Sequence, residues 1–204
     1  MDLNLNRSGT YYIAVFEPRN GGDFGLAVGY VESFIVVEWV TVPISVINVH
    51  LWEGQSPFLI FGPLILTALL VPAGMYTAKR RGMRFPSTIS FGLVTTAASL
   101  FVGTAMMTAL QMCMALSISS GLSVAGGILT AQFIAIPLVI GIMMLRLAMA
   151  DKWGRAARVK LVILGIAGLT FWAGLLAGPV LAIITASLPQ KVLGRNLSAR
   201  MHWA

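Results

Sequence analysis

Few side chains in this sequence can do chemistry, and Glu38 is the most pointed of them. It sits at the centre of a Val- and Ile-rich run over residues 26–50. An ionisable group inside a membrane helix marks a proton or cation site unless it is used in packing. Glu32 precedes it by six positions, about 120° round a helix, so the two carboxylates do not form a tight pair. A carboxylate at mid-bilayer costs about 2.5–3.5 kcal/mol on insertion scales. Roughly twenty apolar neighbours at a few tenths of a kcal/mol each offset that cost. The alternatives are a hydrogen-bonded glutamate that fixes packing against another helix, or an interfacial helix with both glutamates in water.

A second constellation is uncharged. Thr104, Thr108 and Gln111 recur at i, i+4 and i+7 on one helix face, with Thr130 and Gln132 midway along the following apolar run. Such a face lines a narrow polar path or hydrogen-bonds to a neighbouring helix, each bond contributing about 0.6 kcal/mol in lipid. Methionine is frequent nearby: Met106, Met107, Met112 and Met114 surround Cys113, and Met143, Met144 and Met149 follow later. Thioethers and thiols are soft ligands for Cu(I), but gap-filling by adaptable side chains is the commoner use. No metal site and no cofactor are assigned. Haem ligation has only His50 and His202 to draw on. The single cysteine excludes an intrachain disulfide.

The motifs of hydrolysis and phosphate chemistry are missing, including His-Glu-x-x-His, Gly-x-Ser-x-Gly and the Walker sequence. Ser119-Ser120-Gly121 has no nearby base and reads as a turn. Asn6-Arg7-Ser8 and Asn196-Leu197-Ser198 match the glycosylation sequon, which means nothing without a compartment. No catalytic residue is assigned.

Such groups have to be positioned by membrane helices. Of the 204 residues, 57% are hydrophobic and 10% charged, where soluble domains carry about 25% charged residues. Lipid restricts spanning segments to helices or closed barrels, and barrel strands alternate polar with apolar over about 10 residues. The runs here are continuous and 20 or more residues long, so the fold class is an all-α integral membrane protein.

The clearest stretch is residues 85–145, sixty-one positions without Lys, Arg, Asp or Glu. It is long enough to cross a bilayer twice, with the small, polar residues 117–123 as its turn. Cations flank it on both sides: Lys79, Arg80, Arg81 and Arg84 before, Arg146, Lys152, Arg155, Arg158 and Lys160 after. Short basic loops stay on the cytoplasmic side, which makes the stretch a helical hairpin. These cations read as topology signals and contacts for anionic lipid headgroups.

The full reading is a polytopic bundle of about five transmembrane helices, four if the first segment is interfacial. The spans are expected at 26–50, 58–77, 87–113, 122–145 and 161–188, within a transmembrane domain covering 26–188. Residues 1–25 form a polar N-terminal segment with a Tyr11-Tyr12 interface anchor and no signal-peptide pattern. Residues 189–204 form a basic tail. Pro57 opens the second span, and Pro43, Pro63, Pro72 and Pro137 are expected to kink theirs. Five spans put eleven Lys and Arg inside and the three of the tail outside.

Small residues predict the contact faces. Gly174 and Gly178 in the fifth span, and Ala105 and Ala109 in the third, follow the small-xxx-small spacing that lets helices approach closely. The scarcity of reactive groups favours a non-catalytic subunit of a larger assembly in a bacterial inner membrane, of the secretion, conjugation or energy-transducing type. Its partners would be membrane lipids and other membrane subunits. The net charge of +7 lies in loops flanking apolar runs, so it does not suggest nucleic acid. The alternative is a small transporter or channel component using Glu38 and the Thr/Gln face. A lipid-acting enzyme would have only His50, Trp52 and Glu53 to work with.

Overall fold

The computed structural model describes residues 36–52, 54–82, 89–118, 124–149 and 154–189. The expectations for the N-terminal segment, Glu32, Glu53, Arg84, Lys152 and the basic tail lie outside these residues, as do the side chains of Glu38 and Lys79. Of the expected 117–123 turn, 117 and 118 belong to a helix and 119–123 lie outside the description. Every described element is a helix: α1 (Val36–Trp52), α2 (Pro57–Arg80), α3 (Ile89–Ile118), α4 (Val124–Ala148), α5 (Arg155–Leu169) and α6 (Ala177–Ser187).

Three stretches, Pro57–Ala78, Ile89–Ser117 and Gly126–Ala148, are long and apolar enough to cross a membrane. They correspond to the expected second, third and fourth spans. Pro57 does open α2, where its missing N–H costs nothing. α1 shares the end of the expected first span, and residues 26–35 lie outside the description.

α3 is the central element. Half of its apolar window is buried, against 22% in α2 and in α4. Small residues make this possible. A Cβ on Gly103 would stand 2.5 Å from Thr67 Oγ1 and 2.9 Å from the Leu64 backbone of α2. One on Gly141 of α4 would meet Val102 at 3.0 Å and the Ala98 carbonyl at 3.1 Å. In lipid this close approach replaces the hydrophobic drive that packs helices in water. Thr96 and Ser99 of α3 bond back within the helix, Thr96 Oγ1 donating to the Gly92 carbonyl at 2.9 Å and Ser99 Oγ to the Thr96 carbonyl at 2.7 Å, whereas Thr95 Oγ1 is buried without a partner among the described residues.

The expected fifth span, 161–188, is not one helix, and the described residues show three helices long and apolar enough to cross a membrane, so a five-span count is not confirmed. The chain breaks at 170–176, and α6 folds back along α5. The antiparallel register is fixed by Gly168, which faces Pro179, and Gly165, which faces Ala182 and Ile183. At 1.5 Å per residue α5 is about 22 Å long and α6 about 16 Å, both short of the ~30 Å hydrocarbon core. The apolar composition of 161–188 is therefore divided between two half-length helices that enter and leave at the same end.

This hairpin packs on α3 through Phe101, which is fully buried. The ring lies against Gly168, leaving no room for a side chain there, and a Cβ on Gly178 would stand 3.0 Å from it. Val94, Ala97, Met144, Leu161, Ala182 and Ala186 complete the apolar core in the same half of the bundle. That half ends where α2, α4 and α6 finish and where α3 and α5 begin. Every described Lys and Arg side chain belongs to this end: Arg80, Arg81, Arg146, Arg155, Arg158 and Lys160.

Candidate functional site

The site begins with the way α5 stops. Trp172 N–H donates to the Leu169 carbonyl at 3.2 Å and Ala173 N–H to the Gly168 carbonyl at 3.3 Å. This pair of bonds is the Schellman closure, whose C′ residue adopts the left-handed conformation usually taken by glycine. Here the C′ residue is Trp172, with φ +46°. Gly174, Leu175 and Leu176 follow at φ +59°, +55° and +72°. A left-handed conformation costs about 1–2 kcal/mol for a residue with a side chain. Three bulky residues held there mark a segment whose shape the surrounding fold imposes, and such strain concentrates at functional sites.

Thr104 holds the turn. Its Oγ1 accepts the Gly174 N–H and donates to the Leu100 carbonyl at 3.0 Å. Gly174 also packs on the Leu100 side chain, where a Cβ would stand 2.7 Å from that of the leucine. Thr104 lies at the midpoint of α3 (Ile89–Ile118), so the unwound chain sits level with the middle of a helix long and apolar enough to cross a membrane.

Above the turn is a cavity of about 260 Å³. Phe171, Trp172 and Leu175 form its floor, and Thr104, Met107, Thr108 and Gln111 of α3 form one wall. Leu129, Thr130 and Phe133 of α4 face them, with Phe133 edge-on to Phe171 at 5.2 Å between ring centroids. α1 contributes Pro43, Val46, Ile47 and His50, an i, i+3, i+4, i+7 stripe, and Ile60 of α2 completes the lining. The cavity thus occupies the half of the bundle opposite the cations.

Its polar groups are few. Thr130 Oγ1 donates to the Gly126 carbonyl at 2.9 Å. Thr108 and Gln111 have no side-chain hydrogen-bond partner among the described residues, so a hydroxyl and a carboxamide are available to a guest. The described lining contains no carboxylate, ammonium or guanidinium group.

The residues singled out in the sequence therefore divide. Thr104, Thr108 and Gln111 share one face and one cavity. Gln132 does not join them: it is exposed on another side of α4, and Thr130 lines the cavity from that helix. Gly174 and Gly178 do not lie on one continuous helix face. Gly174 belongs to the turn and Gly178 to the first turn of α6, and both pack on α3 within the same chain. Ala105 is buried and Ala109 half-buried.

Arg80, Arg81 and Arg155 are exposed, and the Arg80 guanidinium stacks over Tyr76 at 4.8 Å. Arg158 is half-buried, with Nε and Nη2 enclosed and unpartnered. Cys113 is exposed, and no three His, Cys, Asp or Glu side chains converge among the described residues. The contributions of α1 and of the 171–175 turn were not legible beforehand. The available signal was Gly174 five residues before Pro179, a pairing that disfavours an uninterrupted helix.

Comparison of the chain with family models, with curated proteins and with solved structures gives no match. Fold and composition define it as a helical membrane protein.

The role of Thr104 is testable. Leaving a buried N–H without an acceptor costs about 1–3 kcal/mol. Thr104→Val should therefore speed amide hydrogen exchange across 171–177, while Thr104→Ser should keep the parent rate. Equal protection in the valine variant would mean that the turn is held by something else.

Proposed function

We propose that this protein is a small transporter or channel component that admits a solute to the cavity above the 171–175 turn. The observation that carries this reading is the unwound, strained chain level with the middle of α3, forming the floor of a cavity. Irregular backbone at membrane depth is tolerated only when buried in protein or lining a cavity. Broken helices meeting near the midplane are a recurring feature of solute sites in carriers.

Below the floor, Phe101 seated between Gly168 and Gly178 seals the bundle. The cavity therefore opens toward one side only, and passage requires the hairpin to move off Phe101. Glu38, on the helix that also walls the cavity, is the candidate for proton or cation coupling. The charge rule supports a cytoplasmic position for the sealed end, and a bacterial inner membrane is the proposed location.

Water access tests this reading. In a Cys113→Ser background, Thr108→Cys and Gln111→Cys should react with a membrane-impermeant thiol reagent added from the side opposite the cationic loops. Ala105→Cys, at a buried position, should not react. Protection of both 108 and 111 would mean that water does not reach the cavity, and the reading would fail.

A second reading, a non-catalytic subunit of a larger inner-membrane assembly of secretion, conjugation or energy-transducing type, is favoured by Gln132. It belongs to an exposed stripe with Ile128, Ala135, Val139 and Ile142 and has no partner among the described residues. An amide in lipid gains by bonding to another helix. Native mass spectrometry from mild detergent should then show a particle larger than the 21.8 kDa chain, reduced by Gln132→Leu. A particle of one chain would dismiss the subunit reading.

A further inference from the structure

We infer that the solute taken by this cavity is uncharged, carries at least one hydrogen-bonding group, and has about ten non-hydrogen atoms or fewer. The inference rests on the transport reading and adds the chemical class of the solute.

Size follows from volume. An engineered cavity of about 150 Å³ admits benzene, with its six carbons. At that ratio about 260 Å³ accommodates roughly ten non-hydrogen atoms.

Charge follows from the lining. A bare ion taken out of water loses several kcal/mol of solvation, which only a counter-charge with good geometry restores. The described walls supply no carboxylate, ammonium or guanidinium partner, and their one ionisable side chain is the His50 imidazole. The described cations lie at the other end of the bundle, beyond the Phe101 seal.

The polar head follows from the unused groups. Thr108 and Gln111 are three residues apart on one face, close enough to act on one guest group. Together they provide a hydroxyl, an amide NH₂ and an amide carbonyl, so they can donate to and accept from one hydroxyl, amide or urea-like function. On the facing surfaces Ile47, Phe133, Phe171 and Leu175 offer apolar contact to the rest of the solute, beside the His50 imidazole and the Trp172 indole. Thr104 cannot take part without releasing the turn, because its hydroxyl already accepts from Gly174 and donates to Leu100.

The test is stopped-flow light scattering on liposomes holding the purified full chain. Glycerol, erythritol and urea serve as uncharged probes, and sodium formate and potassium chloride as charged ones. At least one uncharged probe should enter faster than into protein-free vesicles, and both salts at the protein-free rate. The Thr108→Val, Gln111→Leu double variant should lose the added flux, whereas Thr108→Ser should keep it. Elution of each variant as the parent particle controls for folding.

Entry of salts in place of uncharged probes would overturn the assigned solute class while leaving the transport reading intact. Uncharged flux that survives the double variant would overturn the assignment to Thr108 and Gln111. No added flux of any probe would overturn the transport reading, and this inference with it.

Discussion

The rest of the fold depends on satisfying unwound backbone at the level of the middle of a membrane helix. Lipid offers no hydrogen bonds, so each N–H and C=O freed by the break at 170–176 has to find a partner within the protein. The chain meets this with the Schellman closure of α5, the Leu175–Trp172 and Ala177–Gly174 bonds, and the Thr104 hydroxyl. That hydroxyl can reach Gly174 only because the hairpin lies close on α3. The close approach in turn depends on glycine at 168, 174 and 178, where a side chain would strike Phe101 or Leu100.

The same constraint links architecture to chemistry. A helix crossing in place of the hairpin would fill the bundle from end to end. Two half-length helices fill one half and leave the other to the cavity, whose floor is the turn that joins them. The strain at Trp172, Leu175 and Leu176 belongs to that arrangement, because the floor must turn sharply while presenting large side chains upward. The sealed half is packed with Phe101, Met144 and Leu161, and the open half keeps Thr108 and Gln111 unbonded.

Much of this was legible in the sequence, and the reasons differ by element. The uncharged stretch 85–145 with basic ends specified α3, α4 and their antiparallel pairing, because hydropathy and loop charge act directly on insertion. Pro57 specified where α2 starts. The i, i+4, i+7 spacing put Thr104, Thr108 and Gln111 on one face, though not that Thr104 would serve the backbone of a turn seventy residues later. The hairpin was hidden because residues 161–188 are apolar either way: a span facing lipid and a re-entrant pair buried against α3 need the same composition. Gln132 falls on another face of α4 because two positions along a helix turn it about 200° from Thr130.

Charge distribution had already hinted at the difference. A fifth crossing leaves Lys191, Arg195 and Arg200 on the side opposite the basic loops, against the charge rule. The hairpin brings the chain back at Pro189 to the end it left at Arg155. With residues 26–50 crossing once, all fourteen Lys and Arg then fall on one side. The most direct measurement is the sidedness of two single cysteines in a Cys113→Ser background, one at Gly154 and one at Pro189, labelled with an impermeant maleimide in oriented vesicles. The hairpin predicts labelling of both from the same face. Labelling from opposite faces would mean that 155–187 crosses the membrane, and the turn, its Thr104 anchor and the cavity floor would be lost together.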